Sequence, residues 1–152
     1  MKTLGGRTLL STGLHSLRVA DGAVTGAEAF ALDGPVEIEA RAVILTTGGF
    51  QGNPELLTRY VTPYADSLYL RGNPWSTGDG FLAATQAGAA ATPWLDTFYG
   101  HALAAPPARF TRYEFLDVTQ RYGPFAVALN LNGERFVDES AGTGEEALNL
   151  AI

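Results

Sequence analysis

The chain has 152 residues, about one domain's worth, and its 46% apolar and 17% charged content is that of a globular protein with room for a proper core, not of a disordered one. The net charge is −6 with only 10 Lys and Arg, so the basic footprint that nucleic acid or an anionic membrane surface demands is missing. No cysteine is present, which excludes disulfides, thiolate catalysis and Cys-ligated metals and is compatible with a reducing cytoplasm.

The opening MKTLGGRTLLSTG holds no apolar core of signal-peptide length, and no later stretch approaches the length of a membrane span. RTLLSTGLHSLRV is compatible with a strand. A turn follows around Asp21-Gly22, then a second run, AVTGAEAFAL. After a turn at Asp33-Gly34-Pro35, VEIEA alternates cleanly, with Val36, Ile38 and Ala40 on one face. Short strands joined by Gly-containing turns predict a β-meander. AVIL, residues 42–45, is continuously apolar and reads as a strand buried on both faces.

Helix signals come next. Asn53 is placed to cap, Pro54 stands at the first helical position, and Glu55 puts an acid in the first turn. Leu56, Leu57, Tyr60 and Val61 share one face. In STGDGFLAATQAGAAA, Ser76 or Thr77 is the expected cap, Asp79 lies in the first turn and Gly88 is the expected stop. So small-faced a helix packs backbone-close to its neighbour. From Pro93 the aromatic and Pro-rich PWLDTFYGHALAAPPARFTRYEF reads as loops and short pieces. FAVALNLNGERFVDE predicts a hairpin around Asn132-Gly133. The tail ESAGTGEEALNLAI opens as a capped helix and ends apolar with no stop signal, as a chain cut short would. There is no internal repeat.

Two stretches can carry chemistry. Thr47-Gly48-Gly49 follows the apolar strand directly, and glycine there allows positive φ and close approach of another body to the backbone. One reading is a tight strand-to-loop turn. The other is a cofactor lying on bare backbone at the carboxyl end of a strand, where open α/β sheets bind ligands. Thr77-Gly78-Asp79-Gly80 opens a helix, so backbone N–H groups face outward. Asp79 would repel a phosphate but suits the hydroxyl or N–H groups of a sugar-like or ring-like ligand; alternatively it only stabilises the helix start. His101, among aromatics in a loop, is either a structural hydrogen-bonding residue or a ligand contact. His15 lies on a predicted strand at the surface. No metal is expected, because no His pair or acid cluster has metal spacing. G-x-S-x-G, a P-loop, a Ser-His-Asp set and G-x-G-x-x-G are all absent. Arg135, Asp138 and Glu139, after the Asn-Gly turn, read as solvated or paired with each other.

The order of these pieces is more specific than any one of them. AVILTTGGF, NPEL, RGNPWSTGDGFLAATQAGA, YGH and LNLNGERFVDE together resemble the flavoprotein family of fumarate reductase and succinate dehydrogenase, which includes 3-ketosteroid dehydrogenases and tricarballylate-dehydrogenase-like enzymes. The resemblance covers nearly the whole chain. It implies an α/β (α+β) fold: a partial flavin-binding domain with a β-meander over residues 1–95, then the start of a capping domain over 96–152. It implies FAD as cofactor, approached by Thr47, Gly48 and Gly49 on one side and by Thr77, Gly78, Asp79 and Gly80 on the other, with Thr12 to Leu14 passing the adenine end. It implies hydride transfer between flavin and an activated C–C bond of a small carbonyl- or carboxyl-bearing substrate. His101 falls where the family holds a substrate carboxylate, and Tyr99 or Tyr122 is the candidate proton-handling phenol. Two departures stand out. The family's amino-terminal G-x-G-x-x-G unit is missing, and Thr143 stands where fumarate reducers place a proton-donating arginine. The expected activity is therefore that of an FAD-dependent dehydrogenase or reductase present as a partial chain. The alternative is a non-catalytic fragment or binding module. Unpaired sheet edges and apolar surface predict self-association.

Overall fold

The computed structural model describes residues 5–97, 100–111, 113–142 and 145–151. The chain divides into two compact units, Met1–Asp66 with Gly72–Trp94, and Ser67–Arg71 with Leu95–Ile152. Helices and an antiparallel sheet make this a mixed α/β chain, as expected.

In the first unit, β1 (Gly13–Ala20), β2 (Ala23–Ala31) and β3 (Gly34–Glu39) form a three-stranded antiparallel sheet in chain order, the predicted meander. Asp21 and Gly22, at φ 53° and 76°, close the β1–β2 hairpin, because two left-handed residues give a turn whose twist matches the strands. Pro35 of β3 pairs opposite Phe30 of β2, and among the described residues β3 has a neighbour on one side only, where a missing N–H is tolerated. Side chains hold the three strands in register: Ser16 donates to Glu28 at 2.9 Å, and Arg18 of β1 reaches Glu37 of β3 at 3.0 Å. Ala27 and Ala29 of β2 are buried, and α2 (Asp79–Gln86) packs against β1.

The apolar stretch AVIL departs from expectation. It has no ladder partner among the described residues, and Ile44 is 88% exposed. Continuous apolarity signals a strand covered on both faces, but a strand also needs a neighbour to take its N–H and C=O groups. Among the described residues, the ladder pairs of β1, β2 and β3 are with one another.

α1 (Pro54–Tyr60) starts as predicted: the Asn53 side chain accepts from the N–H groups of Glu55 and Leu56. α2 ends as predicted, at Gly88 with φ 95°. Its N–H bonds back to Thr85, and that of Ala89 bonds to Ala84, the paired closure typical of a glycine-stopped helix. The α2 cap differs, since it is Gly78 and neither Ser76 nor Thr77.

The second unit is loop-rich, as its Pro and aromatic content predicts. Among its described residues are α3 (Phe115–Val118), α4 (Glu145–Ala151), a 3₁₀ turn at Gly123–Phe125 and two isolated antiparallel bridges, Leu103 with Thr119 and Leu129 with Arg135. The predicted hairpin is reduced to its tip. Leu129 bridges Arg135 and Gly133 turns at φ 79°, but no strands flank them. Asn130 stabilises the turn by accepting from the N–H groups of Asn132 and Glu134 at 2.9 and 3.0 Å.

Candidate functional site

The two glycine-rich stretches meet in the first unit. A Cβ on Gly80 would lie 2.1 Å from Thr47 Oγ1, so the start of α2 is pressed onto the end of the apolar stretch. A Cβ on Gly52 would lie 2.3 Å from the Pro74 carbonyl oxygen, and the Gly52 N–H donates to the Ser76 carbonyl at 2.8 Å. Asn53 joins the two segments a second time: its Nδ2 donates to the Thr77 carbonyl at 3.0 Å while its Oδ1 caps α1. Gly78 must be glycine on two counts. Its φ is 89°, and a Cβ would fall 2.6 Å from Leu56 Cδ1 and 2.9 Å from Phe50 Cβ. This is why neither neighbouring hydroxyl residue occupies the cap position.

Under this junction Phe50, Tyr60 and Phe81 form a ring cluster with centroid separations of 6.0, 5.5 and 5.5 Å. Such pairs contribute about 0.5–1.5 kcal/mol each beyond the area they bury. The last residue of TTGGF is thereby tied to both helices.

What the junction leaves open is main chain. Thr47, Gly48 and Gly49 are exposed, and Gly48 has φ 79°. Among the described residues, none of their N–H or C=O groups enters a hydrogen bond. Beside them α2 begins without a side-chain cap; its first internal acceptor, the Gly78 carbonyl, takes the N–H of Leu82. The N–H groups of Asp79, Gly80 and Phe81 thus stand outside the helix ladder, as at any helix start. Asp79 is exposed and accepts the Thr77 hydroxyl at 2.9 Å. Thr47, Gly48, Gly49, Thr77 and Asp79 therefore lie together at the surface, with Gly78 and Gly80 buried beneath them. A separate open depression of about 770 Å³ on the meander, lined by Arg18, Val24, Thr25, Glu39, Ala40 and Arg41, includes none of them.

The second unit carries the other candidates. His101 is half-buried; Arg71 Nη1 lies 3.0 Å from its Nε2, and the Arg71 guanidinium sits 4.5 Å above the Phe115 ring. Tyr122 is 69% exposed and precedes the 3₁₀ turn. Tyr99 and Thr143 lie outside the described residues. Arg135 and Glu139 are paired, as one of the two sequence readings had it. Glu139 is only 4% exposed and accepts from the Ala128 N–H and from Nε and Nη2 of Arg135. These contacts, the Ala128 N–H foremost and the Arg135 side chain next, lower its carboxyl from 4.5 to about 2. Ser140, and to a smaller degree Arg135, also lower the Asp138 carboxyl.

Sequence reasoning missed two contributors. Asn53 was visible as a cap but not as a tether to Thr77. Arg71 carried no signal, because its partner His101 lies 30 residues away in a segment without periodicity.

Residues 4–148 match the family model described as an FAD binding domain, so the chain belongs to that family. It is 32% identical over 146 residues to the 3-oxosteroid 1-dehydrogenase of Mycolicibacterium smegmatis, covering 92% of this chain and 25% of that protein. The crystal structure of the 3-ketosteroid-Δ4-(5α)-dehydrogenase of Rhodococcus jostii in complex with 4-androstene-3,17-dione matches 96% of this chain and 27% of that one, at a TM-score of 0.72 and 22% identity, a likeness of fold. The open conformation of a flavocytochrome c3 fumarate reductase matches 93% of this chain and 24% of that one, at a TM-score of 0.63 and 27% identity. The chain thus spans about a quarter of the length of the proteins it matches. The motif resemblance pointed to this family, and the cofactor indicated is FAD. The patch fits such a group: main-chain N–H groups of Thr47, Gly48 and Gly49 that no described residue accepts, and an exposed carboxylate able to accept from hydroxyls.

Proposed function

We propose that this chain supplies the flavin-contacting and substrate-contacting parts of an FAD-dependent oxidoreductase acting on an activated C–C bond of a small carbonyl- or carboxyl-bearing molecule. The carrying observation is the exposed main chain of Thr47–Gly49, which no described residue pairs, beside the start of α2, which has no side-chain cap. In this reading residues 1–95 belong to the flavin-binding domain and 96–152 to a capping domain.

The roles follow from chemistry. The N–H groups of Gly48 and Gly49 donate to acceptor atoms of the flavin group, and Gly48 tolerates the positive φ that turns them outward. Asp79 accepts from hydroxyl or N–H groups and is oriented by the Thr77 hydroxyl. Gly78 and Gly80 keep α2 close enough to Thr47 for both stretches to reach one ligand. When bound, FAD supplies the hydride chemistry; the protein supplies position and electrostatics. His101 holds a carbonyl or carboxylate oxygen of the substrate. Tyr122, or Tyr99, moves the accompanying proton through its phenolic hydroxyl. A cytoplasmic location belongs to the same reading, supported by a sequence with no cysteine that would need an oxidising compartment. So does self-association, supported by the exposure of Ile44, Phe125 and Leu131; sedimentation velocity tests it, with a purely monomeric chain as the contrary result.

The test is a titration of FAD into the full chain, followed by flavin fluorescence quenching, with circular dichroism confirming that the chain is folded. Saturable binding is expected, weakened about tenfold or more by Asp79→Ala, the order set by loss of one hydrogen bond to a charged group. A folded chain that does not bind FAD would return the assignment to a non-catalytic fragment.

A further inference from the structure

We propose that Asn132 is a self-modification site: its carboxamide is lost by deamidation in water, and the turn that holds it sets the rate. Of the asparagines, Asn132 alone is followed by glycine; Asn53 and Asn73 precede proline, and Asn130 and Asn149 precede leucine. The reaction requires the main-chain nitrogen of the next residue to reach the asparagine Cγ. Proline has no N–H to give up, a leucine side chain crowds the approach, and glycine has no Cβ to obstruct it. The surroundings are open as well. Asn132 is exposed, and among the described residues its carboxamide enters no hydrogen bond. A Cβ on Gly133 would meet nothing within 4 Å, so the space beside the nucleophile is clear. The step balances with water alone. Hydroxide takes the Gly133 N–H proton, the nitrogen bonds to Asn132 Cγ, and the bond from Cγ to the amide nitrogen breaks with loss of ammonia. Water then opens the cyclic imide at either carbonyl. One opening leaves aspartate. The other leaves isoaspartate, in which the main chain runs through Cβ and Cγ and is longer by a carbon.

The turn restrains the nucleophile. The Gly133 N–H donates to the Asn130 carbonyl at 3.0 Å, and that bond must break before the nitrogen can turn toward Cγ. The Asn130 side chain braces the same turn. Its Oδ1 accepts from the N–H groups of Asn132 and Glu134 at 2.9 and 3.0 Å, and its Nδ2 donates to Glu134 Oε2 at 3.0 Å. Modification therefore proceeds through the opened turn, and its rate follows the open population. The product does not restore the turn. Isoaspartate lengthens the loop between Leu129 and Arg135, which bridge each other, and adds a carboxylate close in sequence to that of Glu134. Arg135 and the Ala128 N–H are both held by buried Glu139, so chemistry at the turn tip reaches that carboxylate.

The test is ageing of the purified full chain in mildly alkaline buffer. Trypsin releases residues 122–135, fragment masses locate the exchange of amide for carboxyl, and electron-transfer fragmentation separates isoaspartate from aspartate. A synthetic peptide of residues 122–135 supplies the rate without a turn. Conversion is expected at Asn132 and not at Asn130, with isoaspartate the main product, at a rate below that of the peptide. Asn130→Ala should raise the full-chain rate about fivefold or more, the order of one lost hydrogen bond. Asn132→Gln should show no mass change. In the aged chain the Ala128 amide should exchange faster, while β2 amides keep their protection. A wild-type rate equal to that of the peptide overturns the gating, as does a rate unmoved by Asn130→Ala. Asn132 still wholly intact once the peptide is fully converted overturns the site itself. If Asn130→Ala fails to fold by circular dichroism, urea below the unfolding transition takes its place, and a wild-type rate that does not climb toward that of the peptide is the contrary result.

Discussion

The junction of residues 47–80 and the turn of residues 128–139 both appear in sequence as glycines beside an acid, yet they are built on opposite principles. In the first, glycine is demanded by distance. Gly52 and Gly80 sit where another residue's atoms already occupy the space of a Cβ, and Gly78 has both that constraint and a left-handed φ. In the second, Gly133 has φ 79° with open space around it, and the neighbourhood is held by polar contacts: Asn130 across the turn, and Glu139 taking Ala128 and Arg135. A packed junction resists added volume and ignores pH. A polar turn tolerates added volume and answers to protonation.

The largest expected effect tests the steric half. Gly52→Ala places a methyl against the Pro74 carbonyl, a backbone group that cannot rotate away, and should destabilise the first unit by about 3 kcal/mol. Native-state hydrogen exchange read on β2 amides would show the change. Next, Asn53→Ala removes a cap and the donor to the Thr77 carbonyl, and should cost about 1–2 kcal/mol by the same readout. Gly133→Ala meets no atom and incurs only the left-handed conformation, about 1 kcal/mol, detectable in second-unit amides; Gly133→Asn should recover part of it. A Gly133→Ala penalty above that of Gly52→Ala would abolish the contrast.

The smallest effect at neutral pH is nil there by construction. The Glu139 carboxyl is lowered from 4.5 to about 2 in the folded chain. A lowered folded value stabilises fully above the ordinary value and ceases to do so as pH falls through the folded one. Protection of the Ala128 amide should therefore hold at pH 5 and above and be lost progressively between 4.5 and about 2. Glu139→Gln should flatten that profile, while β2 amides of the first unit show no matching step. A β2 amide that loses protection in the same window would merge the two regions into one acid-sensitive body.

Much of the chain was legible because its signals are local. The Asp21-Gly22 turn, the Asn53-Pro54-Glu55 helix start, the Gly88 stop and the Asn132-Gly133 turn each depend on a few consecutive residues whose own φ preferences or side-chain donors decide the outcome. The order of TTGG, TGDG and GERFVDE likewise pointed to the family to which the chain belongs. The AVIL stretch misled because apolarity measures a demand for burial, not the presence of a pairing partner, and Ile44 stays exposed.

By itself, then, the sequence determined the meander, the start of α1, the stop of α2, the family and the two glycine motifs, all of which follow from neighbouring residues or their linear order. Only the tertiary structure decided that Gly80 is small for the sake of Thr47, that Gly78 caps α2 where a hydroxyl residue was expected, that the hairpin keeps only its tip, and that Arg71 meets His101. Each of these is set by atoms far apart along the chain and a few ångströms apart in space, and no propensity of a single residue encodes such a distance.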